Sequence, residues 1–89
     1  LAPTAAAASV SGRVLTFSGY AIANALIKVV DGNGQVKTTT TNQFGNYRFD
    51  DLATGSTYTF LVVQKEYSFQ PQIVTVSDDL TGFDLIATP

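Results

Sequence analysis

Acidic residues are the first side chains in this sequence whose type and spacing could do chemistry. Asp50 and Asp51 form one adjacent pair, Asp78 and Asp79 form another, and Asp31 opens the stretch DGNG. Paired carboxylates can hold a hard cation such as calcium, or divide acid and base roles in glycoside hydrolysis. A calcium loop needs oxygen ligands at several fixed positions, however, and the residues that follow Asp31 supply no further acid. We therefore interpret all three groups as solvated turn residues and predict no metal site.

The residue types that are missing exclude further kinds of chemistry. The sequence contains no Cys, His, Met or Trp. Without thiolate or imidazole, zinc sites built from Cys and His, cysteine nucleophiles and Ser–His triads cannot form. The remaining acids fall in predicted loops or on outward strand positions, so they do not make a base–nucleophile pair. We predict that the chain is not an enzyme and carries no cofactor.

Charge and hydropathy exclude two classes of partner. Five Lys and Arg residues are scattered singly among seven acids, which gives a net charge of −2. Such a chain has no basic stripe for a phosphate backbone, so we predict no nucleic-acid binding. The longest uncharged apolar run, LAPTAAAA, is too short to span a membrane, and no membrane insertion is expected. We interpret residues 1–8 as a linker or disordered N-terminal segment and residues 9–89 as one folded domain.

The rest of the chain alternates between apolar and polar residues, which is the pattern of half-buried β-strands. Val, Thr, Ile, Tyr and Phe dominate it, and no helical period persists beyond one turn. The alternation predicts seven strands, at residues 9–17, 25–31, 36–41, 47–49, 57–64, 67–76 and 82–87. The strand at 57–64 is apolar on both faces, which indicates a central strand or a face covered by a neighbouring domain. Pro71 indicates that its segment is an edge strand or a pair of short pieces broken at a bulge. These features predict an all-β fold of two antiparallel sheets packed as a sandwich.

The aromatic residues fall into two groups. Those with inward strand parity are predicted to be core: Tyr47, Phe49, Tyr58 and Phe60. Tyr20, Phe44 and Tyr67 instead lie beside predicted turns, where exposed rings can stack on the faces of sugars. Capping of the ends of the sandwich is the alternative interpretation of these three rings. We take Tyr20, Phe44 and Tyr67 as the candidate ligand contacts and leave both interpretations open.

One motif in the middle of the chain resembles that of a known family. It has the form T-[ND]-x-x-G-x-Y-x-F-x-x-L-x-x-G-x-x-Y and is matched by Thr41, Asn42, Gly45, Tyr47, Phe49, Leu52, Gly55 and Tyr58. Together with VSGRVL, NALIKVVDGNGQ and QKEYSFQPQIVTV, it resembles the carboxypeptidase regulatory-like domain. That family lies within the wider group of transthyretin-like and collagen-adhesin B-type β-sandwiches. The resemblance covers residues 10–87, which is nearly the whole predicted domain.

The resemblance implies a prealbumin-like, seven-stranded antiparallel Greek-key β-sandwich without a catalytic site. It also implies a role as a spacer, accessory domain or interaction surface in a secreted or cell-surface multidomain bacterial protein. The expected partners are neighbouring domains of the same chain, followed by carbohydrate or another surface protein, and the isolated domain is expected to be monomeric. A carbohydrate- or surface-binding module is the alternative function, and an accessory role beside a peptidase is the third.

Overall fold

Residues 7–89 are described by a computed structural model of the chain, and they form seven β-strands. The strands are β1 (Ala7–Leu15), β2 (Leu26–Val30), β3 (Val36–Thr40), β4 (Asn46–Ala53), β5 (Ser56–Val63), β6 (Gln72–Val76) and β7 (Leu85–Ile86). Each predicted strand is present, although its bounds differ by one or more residues. No helix in this part of the chain is long and apolar enough to cross a membrane.

The strands form two sheets that face each other across one hydrophobic core. One sheet has three strands in the order β4-β1-β7, and the other has four in the order β3-β2-β5-β6. Because β1 pairs with β4 and β2 pairs with β5, neighbours in a sheet are often distant in the chain, as in a Greek key. The predicted seven-stranded β-sandwich is confirmed. So are the internal position of β5 and the edge position of β6, the strand that follows Pro71.

One pair of strands departs from the antiparallel arrangement. β7 pairs with β1 in parallel, with Val14 opposite Leu85 and Leu15 opposite Ile86. The reason is that each connection reverses the direction of the chain, so all odd-numbered strands run the same way. β1 and β7 are both odd-numbered and lie side by side, and they are therefore parallel. The sheets are antiparallel at the other strand pairs of the described chain.

The alternating strand direction gives the sandwich two distinct ends. One end, which we call the aromatic end, is formed by residues 16–25, 41–45, 64–71 and 87–89, which follow β1, β3, β5 and β7. Backbone hydrogen bonds join these segments, since Asn24 N donates to Thr41 O over 3.2 Å and Thr88 N donates to Ser68 O over 2.8 Å. The opposite end holds the start of β1 and the β2–β3, β4–β5 and β6–β7 connections.

The first strand begins two residues earlier than predicted. Ala7 and Ala8 pair with Ala53 and Leu52 of β4, and Ala8 is buried. These two residues therefore belong to the sandwich and not to the predicted linker, whose other residues, 1–6, lie outside the described part of the chain. Sequence alternation does not mark this boundary, because a run of alanines has neither a polar nor a bulky face.

The first strand also ends two residues earlier than predicted. After Leu15 the chain turns, with Gly19 N donating to Thr16 O over 2.9 Å and Tyr20 N donating to Thr16 Oγ1 over 3.0 Å. Gly19 has a φ of 93°, which a glycine adopts without strain. The turn leaves Phe17 in a loop instead of a strand.

The fourth strand is longer than predicted because it runs through Asp50 and Asp51, which the sequence places in a turn. Leu52 beyond them is fully buried and pairs with Ala8. Asp50 and Asp51 together oppose a single residue of β1, and Asp51 has a φ of 60°. This arrangement is a β-bulge, which keeps both carboxylates outside and returns Leu52 to the core.

The last two strands are shorter than predicted, each for a local reason. β6 begins directly after Pro71, because proline has no N–H to contribute to the sheet. Before β7, the Asp84 carboxylate accepts a hydrogen bond from Arg13 N over 3.0 Å, where a backbone carbonyl would otherwise stand. Regular pairing with β1 therefore starts only at Leu85.

The core lies between the sheets and is filled by alternate strand residues. Its largest fully buried side chains are Phe60, Ile27, Leu52, Val10, Val14, Val29 and Val76. The rings of Tyr47, Phe49, Phe60 and Phe83 meet edge to face, with successive centroids 6.1, 5.9 and 5.3 Å apart. Such pairs stabilise a core beyond the area they bury. The core positions predicted for Tyr47, Phe49, Tyr58 and Phe60 are confirmed.

Candidate functional site

The DGNG stretch forms the hairpin turn between β2 and β3. Asp31 Oδ1 accepts hydrogen bonds from Asn33 N over 2.8 Å and from Gln35 N over 2.9 Å. Gly34 follows with a φ of 83°, as tight turns require. The turn interpretation of Asp31 is confirmed, and its carboxylate is engaged by the backbone of its own loop.

The carboxylates of Asp50, Asp79 and Asp84 also contact the chain itself. Asp79 Oδ1 accepts from Ser9 N over 2.9 Å, and Asp50 Oδ1 accepts from Arg48 Nε over 2.8 Å at the exposed surface. Asp84 contacts β1, as described above. Within residues 7–89, no group of three or more acidic side chains is arranged to hold a metal ion. The acids therefore shape turns and strand ends in the described chain.

The aromatic end collects the exposed rings of the described chain. The structure places all three candidate contacts there, with exposed fractions of 73% for Tyr20, 60% for Phe44 and 38% for Tyr67. A fourth ring, Phe17, is 65% exposed and lies at the same end. The remaining aromatic residues are buried or half-buried. Tyr20, Phe44 and Tyr67 therefore lie outside the core, as their position beside turns predicts. Their contact with a ligand stays a prediction.

Phe17 is the residue of this group that sequence reasoning missed. The predicted first strand extends to residue 17, so Phe17 is treated there as part of a strand. The signal that marks it as a loop residue is the Ser18 and Gly19 pair that follows, together with Thr16, whose hydroxyl can bond nearby backbone groups. Polar turn formers on both sides of an aromatic residue indicate a ring that has left its sheet.

The turn that carries Phe44 is built by Asn42. Asn42 Oδ1 accepts hydrogen bonds from Phe44 N over 2.9 Å and from Asn46 N over 3.0 Å, which is an Asx turn. Gly45 has a φ of 77° and packs so closely that an added Cβ would lie 2.9 Å from Val14 O. The asparagine and the glycine thus fix the turn against β1, and the Phe44 ring is directed outwards.

Thr41 fastens this turn to the loop that carries Phe17 and Tyr20. It is buried, and its Oγ1 donates to Ile22 O over 2.7 Å and accepts from Ala25 N over 2.9 Å. Both backbone groups would otherwise be buried without partners, which costs about 1–3 kcal/mol each. The hydroxyl therefore holds two loops of the aromatic end in one fixed arrangement.

A groove opens between the Phe17 and Tyr67 rings. It has a volume of about 530 Å³, and the rest of its lining consists of four hydroxyl-bearing residues, one carboxylate and one proline: Thr16, Ser18, Ser68, Thr88, Glu66 and Pro89. Ligand sites in proteins have volumes of about 300–1,000 Å³ and combine apolar walls with a few polar groups. The groove has the size and the lining of a small-ligand site, although it is shallow.

The aromatic end is nearly free of charge. Its segments contain 26 residues, and only Lys65 and Glu66 among them are charged, with opposite signs. The other ten charged residues of the sequence lie elsewhere. Hydroxyl and amide side chains supply its polar groups. This surface therefore offers aromatic faces and neutral hydrogen-bonding groups, and it has no net charge to attract phosphate or carboxylate polymers.

A cavity of about 590 Å³ lies beside β3 and β4, near the end of the sandwich opposite to the aromatic end. Lys37 of β3 reaches across it, and its Nζ donates to Asp50 O over 3.2 Å and to Asp51 O over 3.0 Å. Because β3 and β4 belong to different sheets, this lysine joins the two layers at their edge. We interpret the contact as structural.

Tyr47 connects β4 with the segment before β7. Its hydroxyl donates a short hydrogen bond of 2.5 Å to Phe83 O. Burial, and to a lesser extent the nearby Asp84 carboxylate, raise the pKa of the Tyr47 phenol well above its ordinary value. The phenol therefore stays a donor throughout the physiological range.

This raised pKa predicts a loss of stability in alkali. Above about pH 10 the unfolded chain releases the Tyr47 proton while the folded chain keeps it, so the free energy of unfolding falls as pH rises. Urea unfolding between pH 7 and pH 11 measures this slope. We expect Tyr47→Phe to be less stable than the wild type at pH 7 but to lose less stability between pH 10 and pH 11. Equal alkaline losses in the two proteins would contradict the assignment.

Comparison with known proteins agrees with this geometry. The model of the carboxypeptidase regulatory-like domain family matches residues 9–85, from within β1 to the first residue of β7. Members of that family are non-catalytic β-sandwich modules. No curated protein matches the chain.

Proposed function

The chain belongs to the carboxypeptidase regulatory-like domain family, and we propose on this premise that it is a structural and interaction module of a secreted or cell-surface multidomain bacterial protein. Its role in such a protein is that of a spacer or accessory domain, which holds neighbouring domains of the same chain and carries out no chemistry. Family membership supports the non-catalytic part of this proposal, and the path of the chain supports the spacer role.

The observation that carries the spacer role is the parallel pairing of β1 and β7. β1 starts at the opposite end of the sandwich, and β7 finishes at the aromatic end. The nine residues of β1 alone span about 30 Å at the usual rise per strand residue. Domains attached before β1 and after β7 would therefore be held apart along one line, which is what a spacer must do.

The edges of the sandwich support a monomeric module. An edge strand exposes unpaired backbone groups, and lysine, proline and bulges discourage another chain from pairing there. The edge strand β3 carries Lys37, and the edge strand β6 follows Pro71 directly. The edge strand β4 contains the bulge at Asp50 and Asp51. We infer that the isolated domain is monomeric and that partners contact its ends and not its edges.

A second candidate function is carbohydrate or surface binding at the aromatic end. The observation that favours it is the collection of Phe17, Tyr20, Phe44 and Tyr67 at one end, all exposed. Exposed aromatic residues that only cap a sandwich would be expected at both ends. A module can serve as a spacer and a binding domain together, so this candidate adds to the first.

An immunoblot of fractionated bacterial cells tests the first proposal. An antibody raised against the 89-residue domain is expected to detect a much longer chain in the surface or culture-medium fraction, and proteinase added to intact cells should remove the surface signal. Mass spectrometry of that band would identify the neighbouring domains, and a peptidase among them would support the accessory role. A cytoplasmic band that resists proteinase until the cells are broken would contradict the proposal.

A further inference from the structure

The groove at the aromatic end is lined by aromatic rings, hydroxyl groups and one carboxylate. Phe17 and Tyr67 contribute ring faces, and both rings are accessible from outside. Thr16, Ser18, Ser68 and Thr88 contribute hydroxyl groups beside those rings, Glu66 contributes a carboxylate, and Pro89 completes the lining. A hydroxyl can both donate and accept hydrogen bonds, although the Thr88 hydroxyl already donates to Ser68 O and the Thr16 hydroxyl already accepts from Tyr20 N. The groove thus combines an apolar surface with hydroxyl groups and one carboxylate that accepts hydrogen bonds.

A pyranose ring has the complementary chemistry. Its C–H groups form an apolar face that packs on an aromatic ring, while its hydroxyl groups point outwards around the edge and need hydrogen-bond partners of either kind. Tyrosine is suited to such a position because its body is apolar and its tip is polar.

The charged side chains at the aromatic end favour uncharged over anionic polysaccharides as ligands. Lys65 and Glu66 are the charged side chains of the four segments, and of these two only the Glu66 carboxylate lines the groove. A polymer with a carboxylate or phosphate on each unit would find no excess of cations to balance it. An uncharged polysaccharide has no such requirement. The charge pattern therefore favours a neutral glycan.

The groove is held in place by hydrogen bonds of the fold itself. Thr88 donates twice to Ser68 O, from its N over 2.8 Å and from its Oγ1 over 3.1 Å. Ala87 N donates to Leu15 O over 2.9 Å, which ties the same segment to β1. Thr16 in turn organises the Phe17 loop. A preformed site loses less conformational entropy on binding than a flexible one.

We propose that the groove between Phe17 and Tyr67 binds a sugar unit of an uncharged polysaccharide, with stacking on both rings. This inference deepens the second candidate function and rests on it. Phe44 and Tyr20 lie at the same end and provide contacts for further units of the polymer, outside the groove.

Affinity gel electrophoresis with soluble polysaccharides tests the proposal. The 89-residue chain is run in native gels containing hydroxyethylcellulose, xylan or dextran as neutral probes and polygalacturonic acid as the charged probe. We expect at least one neutral probe to retard the wild type and polygalacturonic acid to leave it unaffected. Phe17→Ala and Tyr67→Ala should each raise the dissociation constant for the retarding probe about tenfold. This is the effect of losing one aromatic side chain that stacks on a nucleic-acid base. The control Ile73→Ala removes an exposed apolar side chain from β6, outside the aromatic end, and should bind like the wild type.

The outcomes separate this inference from the functions proposed above. Retardation that survives Phe17→Ala and Tyr67→Ala but is lost in Tyr20→Ala or Phe44→Ala would overturn the groove and keep the binding function. Retardation by polygalacturonic acid alone would overturn the neutral ligand class. No retardation by any probe would overturn polysaccharide binding altogether, and the spacer role would be unaffected. Circular dichroism checks that each variant is folded. We expect wild-type spectra, because Phe17 and Tyr67 lie outside the strands.

Discussion

Replacing Gly12 with alanine is expected to lower the free energy of unfolding by at least about 3 kcal/mol, because overpacking at a position that cannot relax is among the costliest single changes. Gly12 lies within β1 on the face towards the core, and the backbone of Phe83 passes directly over it. An alanine Cβ there would overlap the carbonyl of Phe83. The same segment is fixed by Phe83 N donating to Ser11 O over 3.0 Å and by the Tyr47 hydroxyl, so it cannot move aside alone.

Gly32→Ala is the matched control for this change. Nothing lies within 4 Å of a Cβ built on Gly32, and its φ is outside the left-handed region. We expect this variant to stay within about 0.5 kcal/mol of the wild type, as exposed substitutions usually do. Urea unfolding at pH 7 measures both. If Gly12→Ala also proved as stable as the wild type, the close crossing of β1 by the Phe83 segment would be refuted.

Replacing Tyr58 with alanine is expected to cost about 3–5 kcal/mol, the usual range for truncating a buried aromatic residue. Tyr58 is buried on β5, and its hydroxyl accepts a hydrogen bond from Ala53 N over 2.9 Å. The residue therefore ties the β4–β5 turn to the core, much like a tyrosine corner. Thermal unfolding should show a decrease in Tm of roughly 12 °C or more for a domain of this size.

Two further variants divide the Tyr58 effect into its parts. Tyr58→Phe keeps the ring but leaves Ala53 N without its acceptor, which should cost about 1–3 kcal/mol. Tyr20→Ala removes the same side chain from an exposed position at the aromatic end and should cost less than about 0.5 kcal/mol. A loss below 1 kcal/mol for Tyr58→Ala would show that Tyr58 does not lie in the core.

Alternation of apolar and polar residues predicted most of the fold. The inward positions of Phe49 and Phe60 follow from a period of two, because successive side chains in a strand point to opposite faces. The edge position of β6 follows from Pro71, which cannot donate to a neighbour. The turn at Gly45 follows from its place between a polar stretch, residues 38–43, and an alternating run, residues 47–49. Each of these features depends on local residues alone.

The parts of the fold that were not predicted depend on contacts between distant segments. Alternation places Gly12 on the same face as Val10 and Val14, yet the sequence does not say which backbone takes the space that its missing side chain leaves. Asp84 replaces a backbone partner of β1, which shortens β7. The parallel pairing of β1 and β7 is likewise a property of the whole topology. A glycine on the inward face of a strand is the signal that indicates a close backbone approach.

The candidate site was predicted in part. Tyr20, Phe44 and Tyr67 were selected because each lies beside a turn, and a turn places a side chain outside the sheet. That all three turns lie at one end follows from the strict alternation of strand direction. Phe17 and the groove it forms with Tyr67 were not predicted, because the groove joins the loop after β1 with the loop after β5. Such a pairing requires the tertiary structure.

The claim on which the spacer role depends is that the chain enters and leaves the sandwich at opposite ends. Since the sequence contains no cysteine, two spin labels can be attached at chosen sites, and their separation can be measured by pulsed electron paramagnetic resonance. For Ala7→Cys with Pro89→Cys we predict a distance of about 30 Å or more, the length of β1. The control pair, Ala7→Cys with Thr54→Cys, should lie within about 20 Å, because Ala7 pairs with Ala53 and paired residues are about 5 Å apart. A distance for the first pair as short as that of the control would contradict the account.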